Sequence, residues 1–444
     1  MEINPAITFK QDSSVMCAKR PKVLIVGAGL GSLTLGMLLH KANIPFEIYE
    51  RAPEVKPLGA AIKVISAINV CNEQRESEYK IDFHGHDKVF GANGYIITRP
   101  KLYDLLLRQF PHERIHLGKK ILSMENGGNG ILIRCSDGSE AEGDILVGAD
   151  GAYSAVRQNL YIKLLKDKRL PASDALPLPF STVCLVGQTR PLTPEEFPDV
   201  ALKECQFRKI VGDNRSYALY FTSSIVVYVH DKTRNSVLDL YAVLDDESSK
   251  ENDAFKTFEW GPEAAQAMAE QVRDFPVVSG GDKKLTFGDL IDWTPKEFMS
   301  KAMQEEKVFK TWYDCRTVLI GDACHKLNST GGVGATAATH DALVVANLIN
   351  GLPFHPIASE IEAAFATYRE ERFHWVQDAF DASKIFRTMA GQKMLARVTR
   401  FCVRNMPQWV FQQGQKRTTS NRPQCAFLDL IEDNGSVDLR ISLA

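Results

Sequence analysis

The segment VLIVGAGLGS, residues 23–32, is the most informative part of this 444-residue chain. Its first four residues are apolar and mostly β-branched, as in a strand that is buried on both faces of a parallel sheet. Three glycines follow, and an apolar run then continues to Lys41, where Asn43 and Pro45 end it. The stretch therefore predicts a strand, a tight glycine turn and a helix.

A second short apolar run, FEIYE at residues 46–50, completes the pattern. It ends on Glu50, at about the twenty-residue spacing of a βαβ unit that binds a dinucleotide. Gly27 would permit the tight turn and Gly29 the close approach of a diphosphate, while the helix N-terminus offers free N–H groups. Glu50 would accept hydrogen bonds from a ribose. Ser32 replaces the third glycine of the usual pattern; because serine is small, the close packing of helix and strand there is strained rather than forbidden.

Composition excludes several other classes of protein. Hydrophobic residues make up 44% of the chain and charged residues 24%, with a formal net charge of -2, which argues against a disordered chain and against a nucleic-acid partner. The nine cysteines form no C-x-x-C pair and are typical of reduced thiols. No signal peptide or run of about 20 apolar residues is evident. We expect an intracellular protein, cytoplasmic or peripherally attached to a membrane, of undetermined oligomeric state.

Two later stretches repeat the design of a strand that runs into a glycine turn. ILVGADGAYSAVR at residues 145–157 places Asp150 after one strand, and VLIGDACH at residues 318–325 places Asp322 after another. The glycines of residues 331–334 then begin an apolar helix. Ligands bind parallel sheets at the carboxyl ends of their strands, but each aspartate, taken singly, is equally compatible with a helix cap.

The three motifs, in this order, resemble those of FAD-dependent, aromatic-hydroxylase-type (group A) flavoprotein monooxygenases, above all the fungal ones of secondary metabolism. The likeness covers nearly the whole chain, including ITRPKLYDLL at residues 97–106. It implies an α/β fold in which a Rossmann-like FAD-binding domain with a parallel sheet is interleaved with a smaller substrate-domain sheet, followed by a C-terminal helical region. The implied cofactor-binding residues are Gly27, Gly29, Gly31, Ser32, Glu50, Arg51, Arg99, Asp150, Gly151, Arg157, Gly321, Asp322, Gly334 and Ala335.

The resemblance also implies the chemistry. In that family NAD(P)H reduces FAD, and dioxygen then forms a C4a-hydroperoxide that transfers one oxygen atom to an organic substrate. We therefore expect FAD, NAD(P)H with a preference for NADPH, and O2, acting to hydroxylate or epoxidise a lipophilic small molecule. The chemistry is centred on the flavin, so no catalytic side chain is assigned. The pair His84 and His86 lacks a third ligand at suitable spacing, and no metal is expected.

The positions of the motifs predict interleaved domains rather than consecutive ones. Strand-like runs support the second sheet at 181–186, 217–221, 224–229 and 237–243. The expected divisions are a disordered N-terminus at 1–20, an FAD-binding domain from 21–70, 95–175 and 300–350, a substrate-domain sheet from 71–94 and 176–299, and a C-terminal helical region at 351–444.

Departures from the family pattern leave a second hypothesis open. Ser329 stands where relatives usually carry proline, and Thr336 where many carry asparagine. Residues 63–96 occupy a region in which relatives have a few dozen more residues. The alternative to an active enzyme is therefore a catalytically impaired FAD-binding protein with an accessory role.

Overall fold

The computed structural model describes most of the chain. The residues concerned are 19–54, 67–72, 74, 76–82, 91, 97, 99–127, 130–201, 206–211, 216–221, 224–233, 262–277, 284–327 and 332–390, with short stretches between 394 and 441. Several sequence predictions lie outside them, namely those for residues 1–18, His84, His86, Ser329 and the strand at 237–243.

The chain begins its described part with a strand, a helix and a second strand, as the βαβ pattern predicts. The strands are β1 (Val23–Val26), β2 (Phe46–Tyr49), β3 (Ala67–Cys71), β4 (Ser77–Asp82), β5 (Ile115–His116), β6 (Ile121–Gly127), β7 (Gly130–Cys135), β8 (Glu140–Gly143), β9 (Ile145–Gly148), β10 (Phe180–Gln188), β11 (Gln206–Val211), β12 (Ser216–Phe221), β13 (Val226–Thr233), β14 (Met299–Glu305), β15 (Lys307–Val308), β16 (Tyr313–Asp314), β17 (Thr317–Leu319), β18 (His325–Lys326), β19 (Pro423–Gln424) and β20 (Arg440–Ile441). The α-helices are α1 (Leu30–Lys41), α2 (Arg99–Leu107), α3 (Ala155–Lys166), α4 (Ala172–Ala175), α5 (Pro262–Glu270), α6 (Phe287–Asp292), α7 (Gly334–Gly351) and α8 (Ala358–Ala390).

The first sheet is parallel except at one edge. Its strand order is β16-β17-β9-β1-β2-β5, and only the edge strand β16 runs antiparallel to its neighbour. Every residue of β1, β9 and β17 is buried, as expected when helices cover both faces of a parallel sheet. The predicted α/β class, with a parallel sheet built on VLIV, is confirmed.

A second sheet has the order β14-β10-β13-β12-β11-β3-β4 and is antiparallel except for the pair β11 and β3. Alternate residues point to opposite faces, so Leu219 and Tyr228 pack with the residues of α5 and α6, while Ala218 and Tyr220 lie in a separate apolar cluster on the other face. Strand pairing extends this sheet past the expected limits, since β3 begins before residue 71 and β14 runs on to residue 305.

The long helices α7 and α8 pack beside the first sheet. Both contribute buried side chains to its core, among them Val345 and Ile349 from α7 and Phe365 and Tyr368 from α8. Within the described part of the chain, no helix has the length and the apolar run that crossing a bilayer requires. The described cysteines are all free thiols.

The second sheet generates a test of its packing. A Cβ at Gly187 in β10 would lie 2.0 Å from Cζ of Tyr228, the residue paired with it on β13, and the Tyr228 ring is fully buried. We expect Gly187→Ala to lower the free energy of unfolding by about 1–3 kcal/mol, because the crowded ring must move. Denaturant unfolding followed by circular dichroism measures this.

A matched substitution separates crowding from any general effect of replacing glycine. A Cβ at Gly351, the last residue of α7, would meet no atom of the described chain within 4 Å. Gly351→Ala should leave the stability unchanged or raise it by up to about 1 kcal/mol. Equal stability losses in the two variants would contradict the packing argument.

Candidate functional site

The three glycine turns predicted from sequence meet at one edge of the first sheet, the edge formed by the carboxyl ends of its parallel strands. They follow β1, β9 and β17, which are adjacent strands. Backbone hydrogen bonds tie the turns to the neighbouring strands: Ala149 N–H donates to Val26 O (2.9 Å) and Ile320 N–H donates to Gly148 O (2.9 Å). In the sheet, β1 lies between β2, the next strand along the chain, and β9, a later one. The strand order therefore reverses at β1, and this edge is the switch point at which such sheets bind ligands.

The first turn depends on the absence of side chains. Gly27 has a φ of +96°, and a Cβ there would lie 2.6 Å from the carbonyl oxygen of Ala149. Gly29 caps α1 without a side-chain hydrogen bond, and the first turn of the helix carries no acidic residue. Gly31 packs on α7, where a Cβ would lie 3.3 Å from Ala338 O. The N–H groups at this helix start are therefore suited to an anionic ligand.

Glu50 does more than the sequence predicts. One of its carboxylate oxygens accepts a hydrogen bond from Ala28 N–H at 2.7 Å, and the other accepts one from Ala52 N–H at 2.8 Å. The carboxylate thus fixes the glycine turn against the end of β2. Each oxygen keeps a second lone pair that a ribose hydroxyl can use. The adjacent Arg51 is exposed.

Asp150 and Gly151 shape the second turn. Asp150 Oδ2 accepts hydrogen bonds from the N–H groups of Ala155 (2.6 Å) and Val156 (3.3 Å), so Asp150 caps the start of α3. Its Oδ1 atom is buried and has no hydrogen-bond partner among the described residues. Burial raises the pKa of Asp150 despite these N–H donors. Gly151 supplies the φ of +85° that the turn needs.

Arg157 joins the second turn to the third. Its guanidinium donates to Ala323 O at 2.8 Å and to Ala152 O at 2.6 Å, and it lies 4.3 Å from the centroid of the Phe309 ring. The side chain is buried, and burial lowers its pKa. In the structure Arg157 therefore links the second turn to the third by hydrogen bonds, a role that the sequence does not reveal.

The third turn presents Asp322 beside a lysine that sequence reasoning missed. Gly321 has a φ of +60°, and Asp322 Oδ2 accepts a hydrogen bond from Lys326 Nζ at 2.7 Å. Burial opposes the charge on Lys326, but Asp322 outweighs it and raises the pKa of the lysine. Arg99, at the start of α2, interacts electrostatically with Lys326, and its Nε is buried without a hydrogen-bond partner in the described chain.

Helix α7 begins near this turn. A Cβ at Gly334 would meet no atom of the described chain within 4 Å, and Ala335 is half-buried. One turn further on, Ala338 packs closely against both α1 and the third turn. A Cβ at Gly31 would lie 3.4 Å from Ala338 Cβ, and a Cβ at Gly321 would lie 3.0 Å from it. The helix start, α1 and the third turn are thus packed together.

A buried ionic cluster, which we define as Asp341, His325 and Arg372, lies behind the third turn. Asp341 Oδ2 is 2.5 Å from His325 Nε2, and Asp341 Oδ1 accepts a hydrogen bond from Arg372 Nε at 2.8 Å. Burial opposes the charges on Asp341 and His325. Even so, His325 and Arg372 lower the pKa of Asp341, and Asp341 raises the pKa of His325. The sequence signal for this cluster is the lone Asp341 within an apolar helix; nothing comparable marks Arg372.

The same region brings potential metal ligands together. Donor atoms of Cys324, His325 and Asp341 lie within 4.8 Å of one another. The guanidinium of Arg372 is bonded to the same carboxylate, and a second buried cation there would be repelled. The group therefore fits an ion pair better than a metal site.

One contact connects this edge with the second sheet. The Tyr153 hydroxyl, in the second turn, donates to Glu305 Oε1 at 2.6 Å, at the end of β14. Tyr217, in the predicted strand at 217–221, lies on the helix-covered face of that sheet and packs on Phe287, so it is unsuited to lining a substrate pocket. Tyr220 lies on the opposite face.

The residues at this edge fit a dinucleotide such as FAD. Ser32 Oγ, Arg99 Nε and Asp150 Oδ1 are buried polar atoms without hydrogen-bond partners among the described residues. The diphosphate and hydroxyl groups of a dinucleotide offer the acceptors and donors that such atoms need. The backbone at Gly27 and Gly29 provides the close approach.

Comparisons with known proteins agree with this geometry. A protein-family model described as the FAD binding domain matches residues 107–383. The FAD-dependent monooxygenase paxM of Penicillium paxilli is 26% identical over 395 residues, which cover 82% of this chain and 77% of paxM. The FAD-dependent monooxygenase penM of Penicillium crustosum is 28% identical over 410 residues, which cover 83% of this chain and 81% of penM.

A solved structure shows the same fold. HpxO of Klebsiella pneumoniae, determined in complex with FAD and uric acid, has a TM-score of 0.66 and 18% sequence identity. The likeness covers 89% of this chain and 96% of the HpxO chain.

The carboxylate of Glu50 provides a test of the glycine turn. Glu50→Gln replaces one acceptor oxygen by an NH2 group that faces a backbone N–H, and hydrogen bonds to a charged group are worth about 1.5–3 kcal/mol. We expect the Kd for FAD to rise about tenfold or more. Fluorescence titration of the apoprotein with FAD measures it.

Glu47, which lies in β2 just before Glu50, is the control. It forms a partly exposed ion pair with Lys22 at 2.9 Å and lies outside the turn. Glu47→Gln should leave FAD affinity unchanged. If both variants bind FAD like the unaltered protein, Glu50 does not organise the cofactor site.

Proposed function

Because this chain belongs to the family of FAD-dependent, aromatic-hydroxylase-type monooxygenases that carry the FAD binding domain, we propose that it uses NADPH and O2 to hydroxylate or epoxidise a lipophilic small molecule. The observation that carries the proposal is the meeting of three glycine turns at the ends of β1, β9 and β17. A lone glycine turn is common, whereas three such turns at one switch point suit the binding of an extended dinucleotide. The preference for NADPH over NADH rests on family resemblance.

The proposed cofactor contacts divide between the turns. The N–H groups at the start of α1 hold the diphosphate, and Glu50 receives a ribose hydroxyl. Asp322, already oriented by Lys326, receives a hydroxyl on the flavin side. Bound FAD supplies electron transfer from NADPH and the reaction with O2.

The start of α7 has an electrostatic role in the proposal. Gly334 and Ala335 are the first residues of an 18-residue helix, and its first turn contains no acidic side chain. Unpaired N–H groups and the positive end of the helix dipole stabilise negative charge that develops nearby. This is the contribution that the backbone makes toward the flavin ring.

The second sheet supplies the proposed substrate side. Its face opposite α5 and α6 carries a cluster of buried side chains, which are Val70, Cys184, Ala218, Tyr220, Val227 and Val229. We infer that this face lines the substrate site, because an apolar lining suits a lipophilic molecule. The contact between Tyr153 and Glu305 ties the edge of this sheet to the cofactor turns. The many free thiols support the proposed intracellular setting, in the cytoplasm or at a membrane surface.

The visible absorption spectrum of the purified protein, recorded before and after anaerobic addition of NADPH, tests the proposal. We expect flavin bands that bleach with NADPH, faster than with NADH, and that return on admission of air. Candidate lipophilic substrates are then screened for stimulation of NADPH oxidation. Bound flavin that stays oxidised with NADPH and every candidate substrate would favour the impaired FAD-binding protein instead.

Asp322 provides an independent test of the cofactor site. Asp322→Ala removes the carboxylate that Lys326 orients, so we expect the flavin content after gel filtration to fall. Asp137→Ala is the control, since Asp137 also pairs with a lysine, Lys119, but lies in the exposed turn between β7 and β8. Unchanged flavin content in Asp322→Ala would refute its role.

A further inference from the structure

Asp341 connects more elements of the cofactor site than any motif residue identified from sequence. Its Oδ2 atom accepts a hydrogen bond from Gly321 N–H at 3.0 Å and contacts the His325 ring at 2.5 Å, while Oδ1 accepts from Arg372 Nε at 2.8 Å. Gly321 begins the third turn, His325 follows that turn in β18, and Arg372 belongs to α8. One carboxylate thus holds both ends of the third turn against α7 and α8.

The cluster is sealed from solvent. The side chains of Asp341, His325 and Arg372 are at most 2% exposed. A buried carboxylate with three donors is confined to one geometry, because losing any of them leaves a charge or a polar group without compensation. The position of the third turn relative to α7 is therefore set by directional bonds rather than by apolar packing alone.

Both elements joined by Asp341 carry proposed cofactor contacts. The third turn carries Asp322, which follows Gly321 directly, and α7 begins at Gly334 and Ala335, two turns before Asp341. A shift of the turn along the helix would move Asp322 relative to the helix start. We propose that Asp341 is a positioning residue for FAD, which sets the distance between Asp322 and the first residues of α7. The inference rests on the proposed placement of FAD at this edge.

If Asp341 had a purely structural role, replacing it would lower the stability of the protein without changing the Kd for FAD. Asp199 is the control for that effect. Asp199 is also a buried carboxylate, 3% exposed, and it accepts a hydrogen bond from Arg208 Nη1 at 2.7 Å. Arg208 lies in β11 of the second sheet, whereas the Asp341 cluster lies behind the third turn. Removing either charge destabilises the protein, but only one of them holds cofactor-site elements together.

The experiment compares apoprotein stability with FAD affinity in Asp341→Asn and Asp199→Asn. We expect both substitutions to lower the Tm of the apoprotein. Only Asp341→Asn should raise the Kd for FAD, by about tenfold or more, as measured by fluorescence titration with FAD itself. An unchanged Kd in folded Asp341→Asn, or an equal rise in Asp199→Asn, would overturn the positioning role.

A milder variant keeps the test decisive if Asp341→Asn does not fold. His325→Asn removes the ring from Oδ2 but leaves the bonds from Gly321 and Arg372 in place. It should raise the Kd for FAD severalfold, and an unchanged value would again overturn the inference. Failure of the unaltered apoprotein to bind FAD would refute the proposed function itself, whereas normal binding together with an unaffected variant refutes only the role of Asp341.

Discussion

The close approach of two backbones, at Gly27 and Ala149, is the constraint on which the rest of the site depends. A Cβ at Gly27 would lie 2.6 Å from the Ala149 carbonyl oxygen, so no other residue fits at position 27 without displacing one of the two backbones. This contact brings the first and second turns together at the end of the sheet. The third turn joins them because β17 pairs with β9 on the other side.

Hydrogen bonds of buried charged side chains then fix the positions of the second and third turns, which backbone packing alone leaves free. Arg157 bonds to carbonyl groups of the second turn and of Ala323, and Asp341 bonds to the other end of the third turn. Each such group is costly to bury unless all its partners are in place, and so it specifies one arrangement strongly. Arg99 Nε and Asp150 Oδ1 still lack a hydrogen-bond partner among the described residues, and both lie where the cofactor is proposed to bind.

The residues expected at the site divide into those whose roles sequence could foresee and those whose roles depend on distant neighbours. The positive φ angles of Gly27, Gly151 and Gly321 agree with their places in strand-to-turn junctions. Asp150 is observed as a helix cap, an alternative that its sequence context left open. Lys326 and Arg372 had no sequence signal, because their partners are recognised only when turns, strands and helices are assembled.

The α/β class could be predicted from the amino-acid sequence, as could the parallel strand at VLIV and the three glycine turns. These features follow from local apolar patterns and from the backbone freedom of glycine. Other features depend on the folded chain: the order of the strands, the opposite faces on which Tyr217 and Tyr220 lie, and the partners of Glu50, Arg157 and Asp341. Those features arise from contacts between residues that are far apart in the chain. A local pattern can show that a carboxylate follows a strand, but only the packed elements decide which donors surround it.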